Sequence, residues 1–357
     1  MADQFTETST TGYFSRIGKS FFGILIGIVL IIASVWVLFS NEGRVDLSKI
    51  AKTAVEISST AKNTDQTLNG KFVSASGPLT TNDLIGDGLY LKPGRYLMIR
   101  RRVEMYAWEE KESSKTKKNL GGSETTETTY TYVKDWNEYP ESSSKFKHPE
   151  GHANPGKAYD SVIKTAPTAK LGVYALDTSS IGLPEMEKIS PTGSEYVFYG
   201  KGALTEPELG DLRISYFALP SGKNATVFGK LDGDKIVAYP DEGNIVLYRA
   251  LSGSRAEAID TLRGEYKTML WIMRLVGFLM MWIGLGLLVA PISVILDVLP
   301  MLGSVNRFVL NAIAFLIAFV ASAIIIIFSM IVHNLVLVII ILGLIAAAAI
   351  MYLRKKK

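Results

Sequence analysis

Two histidines, His148 and His152, stand four residues apart with Glu150 between them, the spacing at which a helix would present a zinc site. Pro149, Gly151 and Pro155 break any helix there, and a zinc protease needs its glutamate directly after the first histidine. The segment therefore reads as a polar turn, and no metal is assigned to it. Asp87 and Asp211 each follow a glycine and read as turn formers rather than as an acid–base pair. Arg100-Arg101-Arg102 carries enough charge to bind an anion, but Glu104 and the Glu127 side offer it cross-strand partners instead. His333 lies in a short turn beside an apolar tract and reads as an interfacial residue rather than a proton relay. The chain contains no cysteine, which excludes disulfides, cysteine nucleophiles and thiolate zinc sites. No Gly-x-Ser-x-Gly, phosphate loop or dinucleotide fingerprint occurs. No catalytic residue and no cofactor is expected, and an enzyme of unknown chemistry stays only as an alternative.

The elements that would position these residues begin with four apolar tracts. The 357 residues are 48% hydrophobic and 20% charged, yet mean hydropathy is +0.21, so apolar side chains are concentrated. Residues 21–39 contain one polar side chain, Ser34, and as a helix rise about 28 Å, close to the thickness of a hydrocarbon core. Residues 275–296, 308–332 and 335–353 are likewise free of charge. The expected class is an α+β membrane protein with four transmembrane helices, one N-terminal and three C-terminal, and a large β-rich extracytoplasmic domain. The expected order is a cytoplasmic N-terminal tail 1–20, helix 21–39, domain 40–268, helix 269–296, cytoplasmic connection 297–307, helices 308–332 and 335–353, and a basic cytoplasmic tail 354–357. The orientation follows from Arg354 and Lys355 to Lys357 after the last tract, against only His333 and Asn334 in the turn before it. The first tract reads as an uncleaved anchor, because no small-residue cleavage pattern follows it.

Eight of the 38 basic residues and three of the 34 acidic ones lie outside 40–268, which leaves the domain 30 against 31. The positive excess therefore belongs to the membrane flanks, and nucleic acid is not an expected partner. Within the domain, Leu47, Ile50, Ala51, Ala54, Val55 and Ser58 space as an amphipathic helix over 45–58. Ile259, Leu262, Tyr266 and Met269 share a helical face that runs into the second span, with Ser254 as its N-cap. Between these helices the period is two: strands are expected at 95–108, 126–136, 211–219, 225–231, 235–239 and 244–250. Residues 111–122 read as a solvated hairpin tip, and Asp232-Gly233 as a tight turn. Phe72-Val73, Gly77-Pro78-Leu79-Thr80 and Gly86-Asp87 are echoed by Val197-Phe198, Gly202-Ala203-Leu204-Thr205 and Gly210-Asp211. The echo raises two similar subdomains, 45–140 and 160–250, against the alternative of two unrelated turns. Pro291 and Pro300 bracket a stretch too short to span, expected along the cytoplasmic interface with Asp297 among the headgroups.

Several motifs resemble the LUMA (transmembrane protein 43) family. They are Asn41-Glu42-Gly43-Arg44 after the first tract, Glu104-x-Tyr106-x-Trp108, Tyr130-Thr131-Tyr132 with Trp136, Gly151-His152-x-Asn154-Pro155, and Gly210-Asp211-Leu212-Arg213. The resemblance runs in order from about residue 21 to 350 and includes the one-plus-three arrangement of spans. It implies an integral membrane protein with a large luminal or periplasmic domain and supplies no catalytic residues. For eukaryotic members it implies residence in the endoplasmic reticulum and inner nuclear membrane, self-association and an organising role. The missing cysteines and short connections point to a bacterial member in the inner membrane.

Gly23 and Gly27 form Gly-x-x-x-Gly, and Gly277 and Gly284 stand one heptad apart, so both helices offer close-packing surfaces. These serve either association between copies or packing within one chain. The function expected is a non-catalytic, self-associating membrane scaffold that organises partner membrane proteins or lipids through its outer domain. The alternative is a channel or lipid-handling protein.

Overall fold

Along 97–107 the apolar residues Leu97, Ile99, Val103, Met105 and Ala107 alternate with Arg100, Arg102, Glu104 and Tyr106, and the apolar set is buried. That alternation builds a strand with one face on a core and one bearing charges. The computed structural model describes residues 3–60, 66–240, 246–297 and 300–334, with 339 and 343, and for 300–307 the backbone only. The expected fourth span, 335–353, and the tail 354–357 lie outside the described residues apart from those two positions.

In chain order the elements are β1 (Asp3–Thr11), α1 (Tyr13–Glu42), α2 (Leu47–Thr53), β2 (Val55–Ser58), β3 (Phe72–Thr80), β4 (Tyr96–Lys118) and β5 (Glu124–Asn137). Short strands follow: β6 (Val162–Thr165), β7 (Ala169–Leu171), β8 (Tyr174–Leu176), β9 (Glu187–Ile189) and β10 (Val197–Tyr199). Then come β11 (Leu212–Pro220), β12 (Lys223–Asp232), β13 (Lys235–Val237), β14 (Tyr239–Pro240), β15 (Val246–Leu247), β16 (Arg249–Ser252), α3 (Arg255–Leu296) and α4 (Pro300–Val332). One sheet orders β1-β5-β4-β11-β10, with β6 on β4 and β9 on β11; the other orders β16-β12-β13-β8-β7-β3-β2, with β12 also on β3.

The chain divides into two units. The first comprises residues 1–6, 46–113 and 129–264. Its cores lie on the two sheets: Ile99, Val103, Met105, Leu212 and Ile214 on one, Val73, Leu79, Leu171, Val227 and Ile236 on the other. Each fully buried side chain of this size contributes about 1.5–3 kcal/mol. The halves 45–140 and 160–250 are not separate bodies, because each sheet takes strands from both. The echoed segments also differ: Phe72–Thr80 is a nine-residue inner strand, whereas Val197–Tyr199 is a three-residue strand at a sheet edge. The helix expected over 45–58 stops at Thr53, since Val55–Ser58 pairs in parallel with β3 through Val55↔Val73. The hairpin tip expected at 111–122 shrinks, with β4 continuing to Lys118 and β5 starting at Glu124. The segment expected as an N-terminal tail carries β1.

The second unit comprises residues 7–45, 114–128 and 265–357. Three described helices are long and apolar enough to cross a membrane. α3 starts at a capping box, where Ser254 N and Oγ both donate to the Glu257 carboxylate, at 2.8 and 2.9 Å. It then runs 42 residues with Pro291 inside it. The stretch after Pro291 is thus the last turn of this helix, and helix resumes at Pro300 where a connection to 307 is expected. The glycines pack within the chain: a Cβ on Gly27 would stand 2.8 Å from the Gly284 carbonyl oxygen, and one on Gly277 would stand 2.5 Å from Leu38. Gly23 faces Leu287. Ser34 Oγ donates to the Gly277 carbonyl at 2.8 Å, and Ser329 Oγ donates to that of Phe39 at 2.6 Å, so these hydroxyls are satisfied away from lipid.

A side chain on Gly27 must push apart two backbones, whereas a Cβ on Gly18 would meet nothing within 4 Å. Gly27→Leu is expected to lower unfolding stability in detergent by about 1–3 kcal/mol, with Gly18→Leu near neutral. Equal midpoints for the two variants in a denaturant titration would contradict the close packing.

Candidate functional site

The charged face of β4 meets the matching face of β11, where the register places Arg213 opposite Glu104. Arg213 Nε and Nη2 donate to the two carboxylate oxygens of Glu104 at 2.8 and 3.0 Å, a bidentate pair. The Arg213 guanidinium also lies over the rings of Trp136 and Tyr196, 5.1 and 5.2 Å from their centroids. Arg102 links this pair to the next, reaching Glu104 at 3.1 Å and Glu138 at 2.9 Å. Arg100 Nη2 reaches both Glu138 oxygens at 3.1 Å. Arg101 points the other way, where Asp87 accepts from it at 3.1 Å, from Tyr216 Oη at 2.5 Å and from the Leu89 and Leu91 amides at 2.9 Å. The triple arginine is therefore consumed by carboxylates of this unit, with Glu138 and Asp87 in the places expected of Glu127.

The sequence motifs converge behind this charge row. Asn154 acts as a substitute strand neighbour: its Oδ1 accepts from the Trp108 amide at 2.7 Å and its Nδ2 donates to the Trp108 carbonyl at 3.0 Å. Gly210 has φ +93°, and a Cβ there would stand 2.8 Å from Pro155 Cγ, so only glycine lets the two loops close. Tyr106 pairs its backbone with Gly210 and Asp211 at 2.9 and 2.8 Å. The buried Asp211 carboxylate accepts the amides of Lys201, Gly202 and Glu208 at 2.9, 3.1 and 2.7 Å. Gly151, with φ +82°, turns the chain before His152. His152 is buried, stacked on Tyr132 at 3.9 Å and edge-on to Trp108 at 4.8 Å. Its Nδ1 lies 3.0 Å from the His148 carbonyl and its Nε2 lies 3.3 Å from Asp3 Oδ2, and Phe5 stacks on His148. Burial and a hydrogen bond to Glu110 push the Tyr132 phenol up to about 12. These histidines thus belong to an aromatic cluster that holds the start of β1; among the described residues no three metal-ligating side chains converge.

A cavity of about 720 Å³ opens beside this patch, between loops 138–144 and 153–161 with Met105 at its base. Lys157 lines it and donates to the Glu138 carbonyl at 2.7 Å. Burial holds the Lys157 ammonium below its ordinary range, against the pull of Asp160, Glu138 and Glu104. Burial pushes the Glu138 carboxyl up, but the Ser161 hydroxyl and the arginines outweigh this and hold it below the usual carboxylate range. The cavity mixes apolar lining from Met105, Pro140 and Pro155 with the Ser142 to Ser144 residues and Lys157, and suits binding better than proton transfer. Sequence reasoning found Glu104, Asn154 and Arg213 but missed Glu138 and Lys157, which lie in loops without periodicity or motif.

Asn41, Glu42, Gly43 and Arg44 belong to the other unit. Glu42 takes a bidentate pair from Arg274 with both bonds at 2.8 Å, and Arg274 lies over Trp271. Asn41 Nδ2 donates to the Leu270 carbonyl at 3.0 Å, and the His333 ring lies within 2.5 Å of where a Gly43 Cβ would stand. Arg44 is exposed. Arg274, a charge on the long helix α3, is thereby neutralised by Glu42.

The family model described as Transmembrane protein 43 matches residues 105–335. Transmembrane protein 43 of Homo sapiens is 27% identical over 342 residues, 87% of this chain and 84% of the relative. The Rattus norvegicus protein is 27% identical over 343 residues, covering 88% and 85%. The Drosophila melanogaster homolog is 28% identical over 285 residues, covering 73% and 74%. No solved structure matches this chain significantly.

Because its folded pKa is depressed, ionised Glu138 contributes stability that is complete above the unfolded value of about 4.3. That contribution is lost as pH falls through the lower folded value. Thermal unfolding between pH 7 and pH 3 should show this acid limb, shallower in Glu138→Gln. A limb of unchanged steepness in the variant would contradict the assignment.

Proposed function

The chain belongs to the transmembrane protein 43 family, and we propose that it is a non-catalytic, self-associating membrane scaffold that organises partner proteins or lipids through its β-rich domain. The family name assigns no reaction. The reading places the domain on the extracytoplasmic side, in a periplasm for a bacterial chain or the endoplasmic reticulum lumen for a eukaryotic one. The basic residues at 354–357 support a cytoplasmic C-terminus.

The observation that carries the reading is the state of the charges at the cavity. A general acid or base works with a pKa near the operating pH. Glu138 instead sits below the carboxylate range and faces two guanidinium groups, and Glu104 is clamped bidentately by Arg213. These carboxylates fix the loops in place. They leave a cavity large enough for a side-chain cluster or a headgroup, with Lys157 and serine hydroxyls to recognise it.

Full-length protein in mild detergent should show a mass of two or more copies by native mass spectrometry; a strictly monomeric mass contradicts self-association. Proximity labelling in native membranes should lose a subset of neighbours in a Tyr139→Ala/Lys157→Glu variant. An identical neighbour set in variant and parent would remove the cavity from the reading.

A further inference from the structure

The tip of the β4–β5 hairpin is held where α1 begins and α3 ends. Arg16, near the start of α1, reaches Asp297 Oδ2 at 2.6 Å and Glu124 Oε1 at 2.7 Å, and it also donates to the Gly122 carbonyl. Lys118 pairs with the other oxygen of Asp297. Two cations and two carboxylates balance, and the Asp297 side chain is 0% exposed. The opposite end of α1 is marked by the Glu42–Arg274 pair. From Arg16 to Glu42 the helix rises about 39 Å, more than the roughly 30 Å of a hydrocarbon core. Lys118 and Glu124 therefore share a membrane face with Arg16, and Arg44 stands on the other.

The polypeptide passes from Arg44 to Lys118 through 45–117, where no described helix is long and apolar enough to cross a membrane. The return has to be made by the hairpin. Residues 109–118 of β4, fully extended, cover about 33 Å, enough for the crossing. Among the twenty residues 109–128, Leu120 is the only large apolar side chain. Ser114 and Thr128 pair their hydroxyls at 3.0 Å, as do Thr116 and Thr126 at 3.1 Å, while Lys115 and Lys117 stay exposed. β1, beside β5 in the sheet, adds a third mostly polar strand. Such a ribbon cannot face hydrocarbon, where unpaired backbone and charged side chains are prohibitively costly; it needs water alongside it.

We propose that the β4–β5 hairpin carries a hydrophilic, water-lined lane through the thickness of the membrane beside α1 and α3, a passage for water and small polar solutes with its tip clamped by Arg16 and Asp297. The lane is a function separate from partner organisation and does not rest on the cavity.

The chain has no cysteine, so single-cysteine variants report cleanly. In membrane vesicles of known sidedness, Lys117→Cys should react with a bulky impermeant maleimide from the face that labels Gly12→Cys, and not from the face that labels Arg44→Cys. Ser114→Cys and Thr128→Cys should react with a small charged methanethiosulfonate about tenfold or more faster than the lipid-facing Val29→Cys, because only a hydrated thiol ionises. All six positions are at least partly solvent- or lipid-accessible, so the fold should tolerate them. Labelling of Lys117→Cys with Arg44→Cys, or Ser114→Cys and Thr128→Cys as inert as Val29→Cys, overturns the lane.

Discussion

A guanidinium or carboxylate taken out of water has to meet its counter-charge, and the placement of such meetings organises both units of this protein. Breaking a buried pair by removing one partner costs about 3–5 kcal/mol, because the survivor stays desolvated and alone. In the helical unit, Arg16–Asp297 and Glu42–Arg274 terminate the apolar stretch at its two ends. In the β-rich unit, Glu104–Arg213 and the Glu138 pairs tie strands and loops into one patch. The motifs dispersed over residues 104–213 become intelligible as one neighbourhood: ion pair, Asn154 bridge, Gly210 close approach and the amide cage of Asp211.

Much of this was legible in the residues. The charge-free tracts at 21–39, 275–296 and 308–332 became helices, because a continuous apolar run satisfies its backbone internally. Ser254 with Glu257 and Asp232-Gly233 carry their geometry in local chemistry. What escaped depends on distant partners. Val55–Ser58 has helical spacing, yet pairing with β3 won over a weak local propensity. Nothing near Arg16 announces Asp297, 281 positions away. The echo between 72–87 and 197–211 reflects similar turn chemistry at Asp87 and Asp211, both of which accept backbone amides, on otherwise different frames.

A carboxylate held by guanidinium groups is a fixed strut, and the cavity beside Glu138 gains rigidity from it. The membrane helices spend their small residues on each other, at Gly27 and Gly284.

The claim that the motif residues are paired struts is tested most directly by a double-mutant cycle on Glu104 and Arg213. Unfolding free energies of the parent, Glu104→Gln, Arg213→Met and the double variant should show a coupling of about 0.5–3 kcal/mol, with the double variant less destabilised than the sum of the singles. Strict additivity would mean that the two residues act independently, and would contradict it.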